Sequence, residues 1–328
     1  TCARPIYMAW HAALLSAQPE KFHHVYQPFH LAEISARCNL CPTLLTPDNI
    51  DHHLGELAEV EFLFSTWGMF TLNEAQLDRL PHLKVIFYAA GATDYFSAPY
   101  LARGIKVVSA WRANAIPVAE FCLAQILLGC KGYFRNQREY CGPEHFSALA
   151  NHHFAPGNYQ EQVALIGAGA ISQELQKLLH PFCLDVVVVP SRPEKRTLSL
   201  EDAFASSWVI SNHLPNREDN IGVLNGDLFR RMRQGAVFIN TGRGRQVNES
   251  ELIQVLKERP DLTALLDVTK PEPPEADSAL YTLPNVQLTS HIAGALNNET
   301  RRLANCVIDE FQRWLTGQPL LFDISHGL

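Results

Sequence analysis

Residues 162–179, reading QVALIGAGAISQELQKLL, constrain the fold more than any other part of the chain. An apolar run ends in Gly167-Ala168-Gly169 and passes at once into helical spacing, with Ile171, Leu175, Leu178 and Leu179 along one face. A strand that turns straight into a helix is followed by a parallel neighbour, because the helix carries the chain back over the sheet. The first glycine permits the tight turn. The second lets a ligand approach the backbone where Ala170 and Ile171 present unpaired helix N–H groups. A pyrophosphate fits that description. Ser172 replaces the third glycine of the usual fingerprint and is small enough for close helix–strand packing. A tight turn without a ligand is the plainer alternative for this motif taken alone.

The same alternation runs along the chain. Strand-like runs near Ile6–Ala9, Glu61–Ser65, Leu83–Tyr88 and Ile105–Ser109 come first, with helix-like Asn73–Leu80 and Phe96–Arg103 between the last three. A long helix is expected to begin after Pro117, since proline is favoured just inside a helix start. A second series comprises Val163–Ile166, Val186–Val189, Trp208–Ile210, Val237–Ile239, Thr263–Asp267 and Val286–Leu288. It lacks polar alternation, as strands buried on both faces do. Segment Cys141–Gln160 reads as an irregular excursion, and Glu299–Thr316 as a terminal helix. The expectation is an α/β protein with a doubly wound parallel sheet, and 328 residues at 47% hydrophobic allow two domains.

Beyond the glycine loop, a dinucleotide site usually places an acidic side chain on the ribose hydroxyls. Here the second strand ends in Pro190-Ser191-Arg192, and Asp185 sits at its wrong end. Arg192 can instead pair with a 2′-phosphate, with Ser191 and Lys195 or Arg196 helping, so NADP is expected over NAD. The alternative is a solvated Arg192 that packs on the adenine and tolerates both.

Three later segments each follow a strand of the second series: FINTGRGRQVNE around Arg243, LLDVTKPEPP around Glu272, and LTSHIAG around His291. Side chains beyond the carboxyl ends of parallel strands gather at one crevice. With the glycine loop, the Asn114–Glu120 element, His213-Leu214-Pro215, LPHLKVIFYAAGATD at residues 80–94 and the terminal helix, their order resembles the D-isomer-specific 2-hydroxyacid dehydrogenase family. The resemblance covers roughly residues 60–320.

That resemblance implies a Rossmann-type cofactor domain (118–298) inserted in a smaller flavodoxin-like α/β substrate domain (1–117 and 299–328). It implies hydride transfer between NAD(P)H and a small 2-keto or D-2-hydroxy acid such as glyoxylate or hydroxypyruvate, in a homodimer. Arg243 would grip the substrate carboxylate through its forked donors. His291 would give and take the proton, with Glu272 orienting its ring. Asp267 would meet the nicotinamide carboxamide, and His213, Pro215, Thr241 and Gly242 would line the cofactor cleft. Backbone N–H groups of Ala90, Gly91 and Ala92 would hold the carboxylate's other side. Trp67 would wall the pocket, and Asn114 would touch the carbonyl or cap the following helix. Departures from the pattern at Gln160, Glu161, Ser172, Pro190, Trp208 and Asn220 are expected to cluster on the cofactor side.

Each residue alone has an ordinary reading: Arg243 as an ion-pair residue, His213 as a structural histidine, Glu272 as a loop carboxylate, Trp67 as packing. Their common order singles them out. A non-catalytic dinucleotide sensor on the same fold, like the family's corepressor relatives, is the rival reading, and the Glu272–His291 pair weighs against it. A net charge of −7 without a basic stripe disfavours nucleic acid. Of eight cysteines only Cys38 and Cys41 have C-x-x-C spacing, so free thiols and no metal are expected. The most apolar run, Phe121–Cys130, is too short for a membrane span, and no charged-then-apolar leader opens the chain, so a cytoplasmic location is expected. A phosphorylated substrate would need an extra basic group, for which Arg112 and Arg245 are candidates.

Overall fold

Short apolar runs without polar alternation form the interior strands of two parallel sheets, described in a computed structural model over residues 10–151 and 154–325. The strand expected near Ile6–Ala9 lies outside the described residues. The chain divides into two units, 1–114 with 295–328, and 115–294. The boundaries thus fall at Asn114/Ala115 and Gly294/Ala295, against the 117/118 and 298/299 expected.

The first unit holds β1 (His11–Leu15), β2 (Asn39–Leu45), β3 (Phe62–Ser65), β4 (Val85–Tyr88) and β5 (Lys106–Ser109) in the order β2-β1-β3-β4-β5. All pairs are parallel, and the order is the flavodoxin one. Phe311, on the helix Thr300–Leu315, lies 5.2, 5.2 and 5.4 Å from the rings of Phe62, Phe64 and Phe87 and closes one face of the sheet. β2 escaped the sequence reading because it contains Pro42, which suits only an edge strand, and β2 is at the edge. The helices Pro19–Val25 and Pro28–Ser35, each started by a proline, were also not anticipated.

The second unit holds β6 (Tyr159–Ile166), β7 (Cys183–Val189), β8 (Val209–Asn212), β9 (Val237–Asn240), β10 (Thr263–Leu266) and β11 (Val286–Leu288) in the order β11-β10-β9-β8-β6-β7. All pairs are again parallel. The chain winds outward both ways from β6, so the switch point lies between β6 and β8, where doubly wound sheets bind ligands.

Three expectations need correction. The long helix runs Trp111–Cys130, with Pro117 inside it rather than at its start. Asn114 is therefore within the first turn and is not a cap. An interior proline costs a helix about 3 kcal/mol, which burial of Val118, Ala119, Cys122 and Ile126 in the core of the second unit offsets. At 20 residues and mean hydropathy 1.5, this helix is long and apolar enough to cross a membrane, unlike the short run expected. Half of that length is buried, and its inner face packs with Val163, Leu165, Val209 and Val237 as a core helix.

Second, the excursion after Cys141 is partly regular, with a 3-10 turn Pro143–His145 and a helix Phe146–Asn151. Third, several departures do not lie on the cofactor side. In a parallel sheet all carboxyl ends share one edge, and Gln160, Glu161 and Trp208 sit at the opposite, amino edge of β6 and β8. There Glu161 pairs with Arg233, whose guanidinium lies 5.4 Å from the Trp208 ring centre. Trp208 Nε1 donates to Gly129 O at 3.1 Å. The seven described cysteines are free, and no cluster among the described residues could hold a metal ion.

Candidate active site

Arg243, Glu272 and His291 follow β9, β10 and β11, three adjacent strands, so the sheet delivers all three loops to one edge. His291 Nδ1 and Glu272 Oε1 are 2.6 Å apart, and both side chains are about half exposed. With Nδ1 engaged by the carboxylate, the opposite nitrogen, Nε2, is left for chemistry.

The His291 turn is unusual. Its backbone adopts φ +59, a left-handed conformation that costs a non-glycine residue energy. Asp267 holds it there. The buried carboxylate accepts Thr289 Oγ1 at 2.6 Å and Ile292 N at 2.7 Å on Oδ1, and Ala293 N at 3.0 Å on Oδ2. The Asp267 carbonyl accepts His291 N at 3.1 Å. Asp267 thus braces the His291 turn, and its Oδ2 retains capacity for one further donor.

Arg243 enters no ion pair among the described residues; Nη1 donates to the carbonyl of Gly242 at 2.9 Å. Its loop is packed onto the loop bearing Glu272. A Cβ on Gly244 would lie 2.0 Å from Thr269 O, so only glycine permits this approach. Glu249 Oε2 accepts Lys270 N at 3.0 Å from the same side, and burial pushes that carboxyl up. Gln246, which the sequence did not single out, is a buried hub. It donates to Leu214 O (2.7 Å) and Pro215 O (3.0 Å) and accepts Arg243 N (3.0 Å) and Asn212 Nδ2 (2.8 Å). Nothing local in the sequence marks it, because every partner is distant or backbone.

The residues expected on the cofactor side gather after β6, β7, β8 and β9. Gly167 has φ +110, and a Cβ there would sit 2.4 Å from His213 O, so glycine is required. A Cβ on Gly169 would meet nothing within 4 Å, which leaves the helix N-terminus at Ala170 and Ile171 open to a pyrophosphate. Ser172 is fully buried and donates from Oγ to Gly167 O at 2.6 Å, stapling the loop. His213 is buried, with Nε2 2.9 Å from Ser211 Oγ and Nδ1 without a partner among the described residues. Burial pushes its pKa down to about 3, so the ring is neutral. Thr241 Oγ1 meets Cys122 Sγ at 3.3 Å, and a Cβ on Gly242 would press on Gln246 and Asn212. Pro215 O accepts three donors, from Arg217 N, Asn220 Nδ2 and Gln246 Nε2.

The open backbone at Gly169, the Gly167 turn and the orphaned His213 Nδ1 fit a nicotinamide dinucleotide. Ser191 and Arg192 lie at the end of β7, whereas Asp185, near its start, accepts Gln162 Nε2 at 3.2 Å. Arg196 is not free to help: it donates to Pro190 O at 2.9 Å and Ser191 O at 2.8 Å, bracing the loop instead. Arg245 is likewise engaged, by Glu218.

In the first unit, Ala90 is buried and its N–H bonds Tyr88 O at 2.9 Å, which narrows the expected backbone donors to Gly91 and Ala92. Trp67 is half-buried and packs against both core clusters of that unit. Asn114 Oδ1 accepts Ala295 N at 3.1 Å.

A glycine-turn dinucleotide fold with an arginine and a carboxylate-held histidine at adjacent strand ends defines a nicotinamide-dependent oxidoreductase. Residues 130–293, half of the chain, match the family described as D-isomer specific 2-hydroxyacid dehydrogenase, NAD binding domain, and the chain belongs to that family. It is 27% identical over 283 residues to glyoxylate/hydroxypyruvate reductase B of Yersinia pestis (strain Pestoides F), covering 83% of this chain and 86% of that one. It is 40% identical over 139 residues to YoaD of Bacillus subtilis (strain 168), which carries a provisional 2-hydroxyacid dehydrogenase name; that match spans 40% of each chain. The fold is also that of the apo D-mandelate dehydrogenase of Rhodotorula graminis, with a TM-score of 0.78, 23% identity, and 95% and 96% of the two chains covered.

Proposed function

We propose that the protein interconverts small 2-keto acids and D-2-hydroxy acids, glyoxylate and hydroxypyruvate among them, with NADP favoured over NAD. The observation that carries the chemistry is the 2.6 Å contact between His291 Nδ1 and Glu272. It fixes the imidazole so that one nitrogen faces the carboxylate and the other can hold a proton for the carbonyl oxygen. A nicotinamide cofactor bound over the glycine turn would supply or accept the hydride. Arg243, without an ion pair among the described residues, offers its planar fork to the substrate carboxylate. His291 then protonates the developing alkoxide in reduction and takes the proton back in oxidation. The reductase name of the Yersinia relative supports the substrate class.

The test is NADPH and NADH oxidation against a panel of 2-keto acids, with His291→Ala as control. Turnover that His291→Ala lowers by roughly 10²-fold or more supports the assignment, on the usual contribution of a positioned acid–base group. Unchanged turnover in that variant would sink the mechanism, and dinucleotide binding without turnover of any acid would favour the sensor. The cofactor preference rests on Ser191 and Arg192 and on the distance of Asp185 from the end of β7. Arg192→Ala should weaken NADPH binding far more than NADH binding, and equal losses would refute the preference. We also propose a homodimer. Tyr133, Tyr140, Phe146 and Tyr159 are all exposed in and around the excursion after Cys141, and apolar area of that kind is commonly covered by a partner. A monomer by light scattering would refute it.

A further inference from the structure

Arg217 lies two residues beyond the His-Leu-Pro element, on the loop after β8. Asp219 grips it in a fork: Nε donates to Oδ1 at 2.9 Å and Nη2 to Oδ2 at 2.5 Å. Arg217 is a third exposed and Asp219 about two-thirds exposed, and a pair so placed adds little stability. Two parallel bonds do fix the plane of the guanidinium. Its remaining nitrogen, Nη1, is 3.4 Å from Ser191 Oγ, across on the loop that ends β7.

Arg192 and Arg217 line the same cavity of about 490 Å³, together with Asp219 and Glu194. The Arg192 side chain makes no hydrogen bond or ion pair among the described residues, and the Asp219 carboxyl is held below the usual range by its bonds to Arg217 first, with the Arg192 charge adding to them. Glu218, which also lines the cavity, is taken up by Arg245. Of the lining carboxylates, Glu194 alone has no ion-pair partner among the described residues. Two guanidinium groups and a hydroxyl therefore converge from two loops, at the ends of the strands that flank β6. A ribose held over the glycine turn is presented to the end of β7, and a tetrahedral dianion is met best by donors from separate directions.

We propose that Arg217 is the second guanidinium of a 2′-phosphate subsite, facing Arg192 beside Ser191, and that Asp219 is the positioning residue that aims it. The inference rests on the NADP reading above and extends it to residues outside the strand that usually sets cofactor choice.

The experiment measures kcat and KM with NADPH and with NADH, and binding of adenosine 2′-monophosphate and adenosine 5′-monophosphate by calorimetry. The proteins are the wild type, Arg217→Ala and Asp219→Asn. Arg217→Ala should cut kcat/KM for NADPH by about 10- to 100-fold, the usual range for a lost charged hydrogen bond, against about twofold for NADH. It should weaken the 2′-monophosphate much more than the 5′-monophosphate. Asp219→Asn keeps the arginine's charge but loosens its aim, so KM for NADPH should rise several-fold with kcat little changed. Equal losses for both cofactors in Arg217→Ala overturn the subsite. Tighter NADPH binding in Asp219→Asn shows the carboxylate repelling the phosphate, which overturns its positioning role. A wild type that prefers NADH overturns the cofactor reading itself, before any variant is made.

Discussion

Two histidines at the same edge of one sheet show how differently its two halves are built. His291, after β11, is half exposed, strained at φ +59 and held by a carboxylate 2.6 Å away. His213, after β8, is buried against Ser211, has no carboxylate partner among the described residues, and stays neutral with its pKa pushed down to about 3 by burial. An imidazole that must exchange a proton needs solvent, a charge partner and a fixed orientation. One packed beneath the glycine turn needs shape and a neutral ring. Residue type alone separates the two no better than a coin toss; the carboxylate does.

The comparison breaks most directly at Glu272. Glu272→Ala leaves His291 in its Asp267-braced turn but removes the group that orients the ring. The expected result is a fall in kcat of roughly 10²- to 10⁴-fold, the range a positioned acid–base group contributes, with dinucleotide affinity retained. A kcat near wild type would mean that the Asp267 brace alone positions His291.

A smaller effect is expected where the Arg243 and Glu272 loops touch. Gly244→Ala would drive a Cβ to within 2.0 Å of Thr269 O, a backbone atom that cannot swing aside. Destabilisation of about 1–3 kcal/mol or more should accompany loss of substrate saturation, since overpacking displaces both loops. Urea unfolding and KM for the keto acid check this together. Wild-type values of both would show that the loops move independently.

His213 makes the cofactor half sensitive to acid. Its folded pKa lies below the unfolded value near 6.5, so its stabilising contribution is full above pH 6.5 and is lost as pH falls toward 3. Between pH 7 and pH 5 the loss from this residue is roughly 2 kcal/mol. His213→Gln should flatten the stability curve over that window by about this amount. Denaturant midpoints at the two pH values decide it, and parallel curves for the two proteins would refute the buried, neutral assignment.

What the sequence disclosed follows from the range over which each feature is encoded. The trio, the glycine turn and most strands of the second unit are local patterns: an apolar run, then a polar or glycine residue at its carboxyl end. The start of the long helix was misjudged because Pro117 is a good first-turn residue, and only burial of the positions around it shows the helix continuing upstream. Glu161 and Trp208 were placed on the cofactor side because they depart from the family pattern, yet strand direction puts them at the far edge. Gln246, Asp219 and the bracing role of Asp267 depend on partners joined only by folding. Arg217 did carry a visible signal, a basic residue just past the His-Leu-Pro element, but its meaning required Ser191 to be 3.4 Å away.

Ser172 offers the smallest and most discriminating test of the cofactor half. Ser172→Gly restores the usual third glycine, and if the serine crowded the turn it should improve cofactor binding. The structure argues otherwise, because Ser172 Oγ is buried and bonded to Gly167 O at 2.6 Å, stabilising the turn from inside while the approach over Gly169 stays open. Loss of that bond costs about 0.5–1.5 kcal/mol, and glycine within a helix adds about 0.5–1 kcal/mol. A drop in Tm of a few degrees is therefore expected, with KM for NADPH changed by no more than about threefold. A tenfold lower KM without loss of stability would instead identify the serine as an obstruction and the cofactor half as the compromised partner of an intact acid–base half.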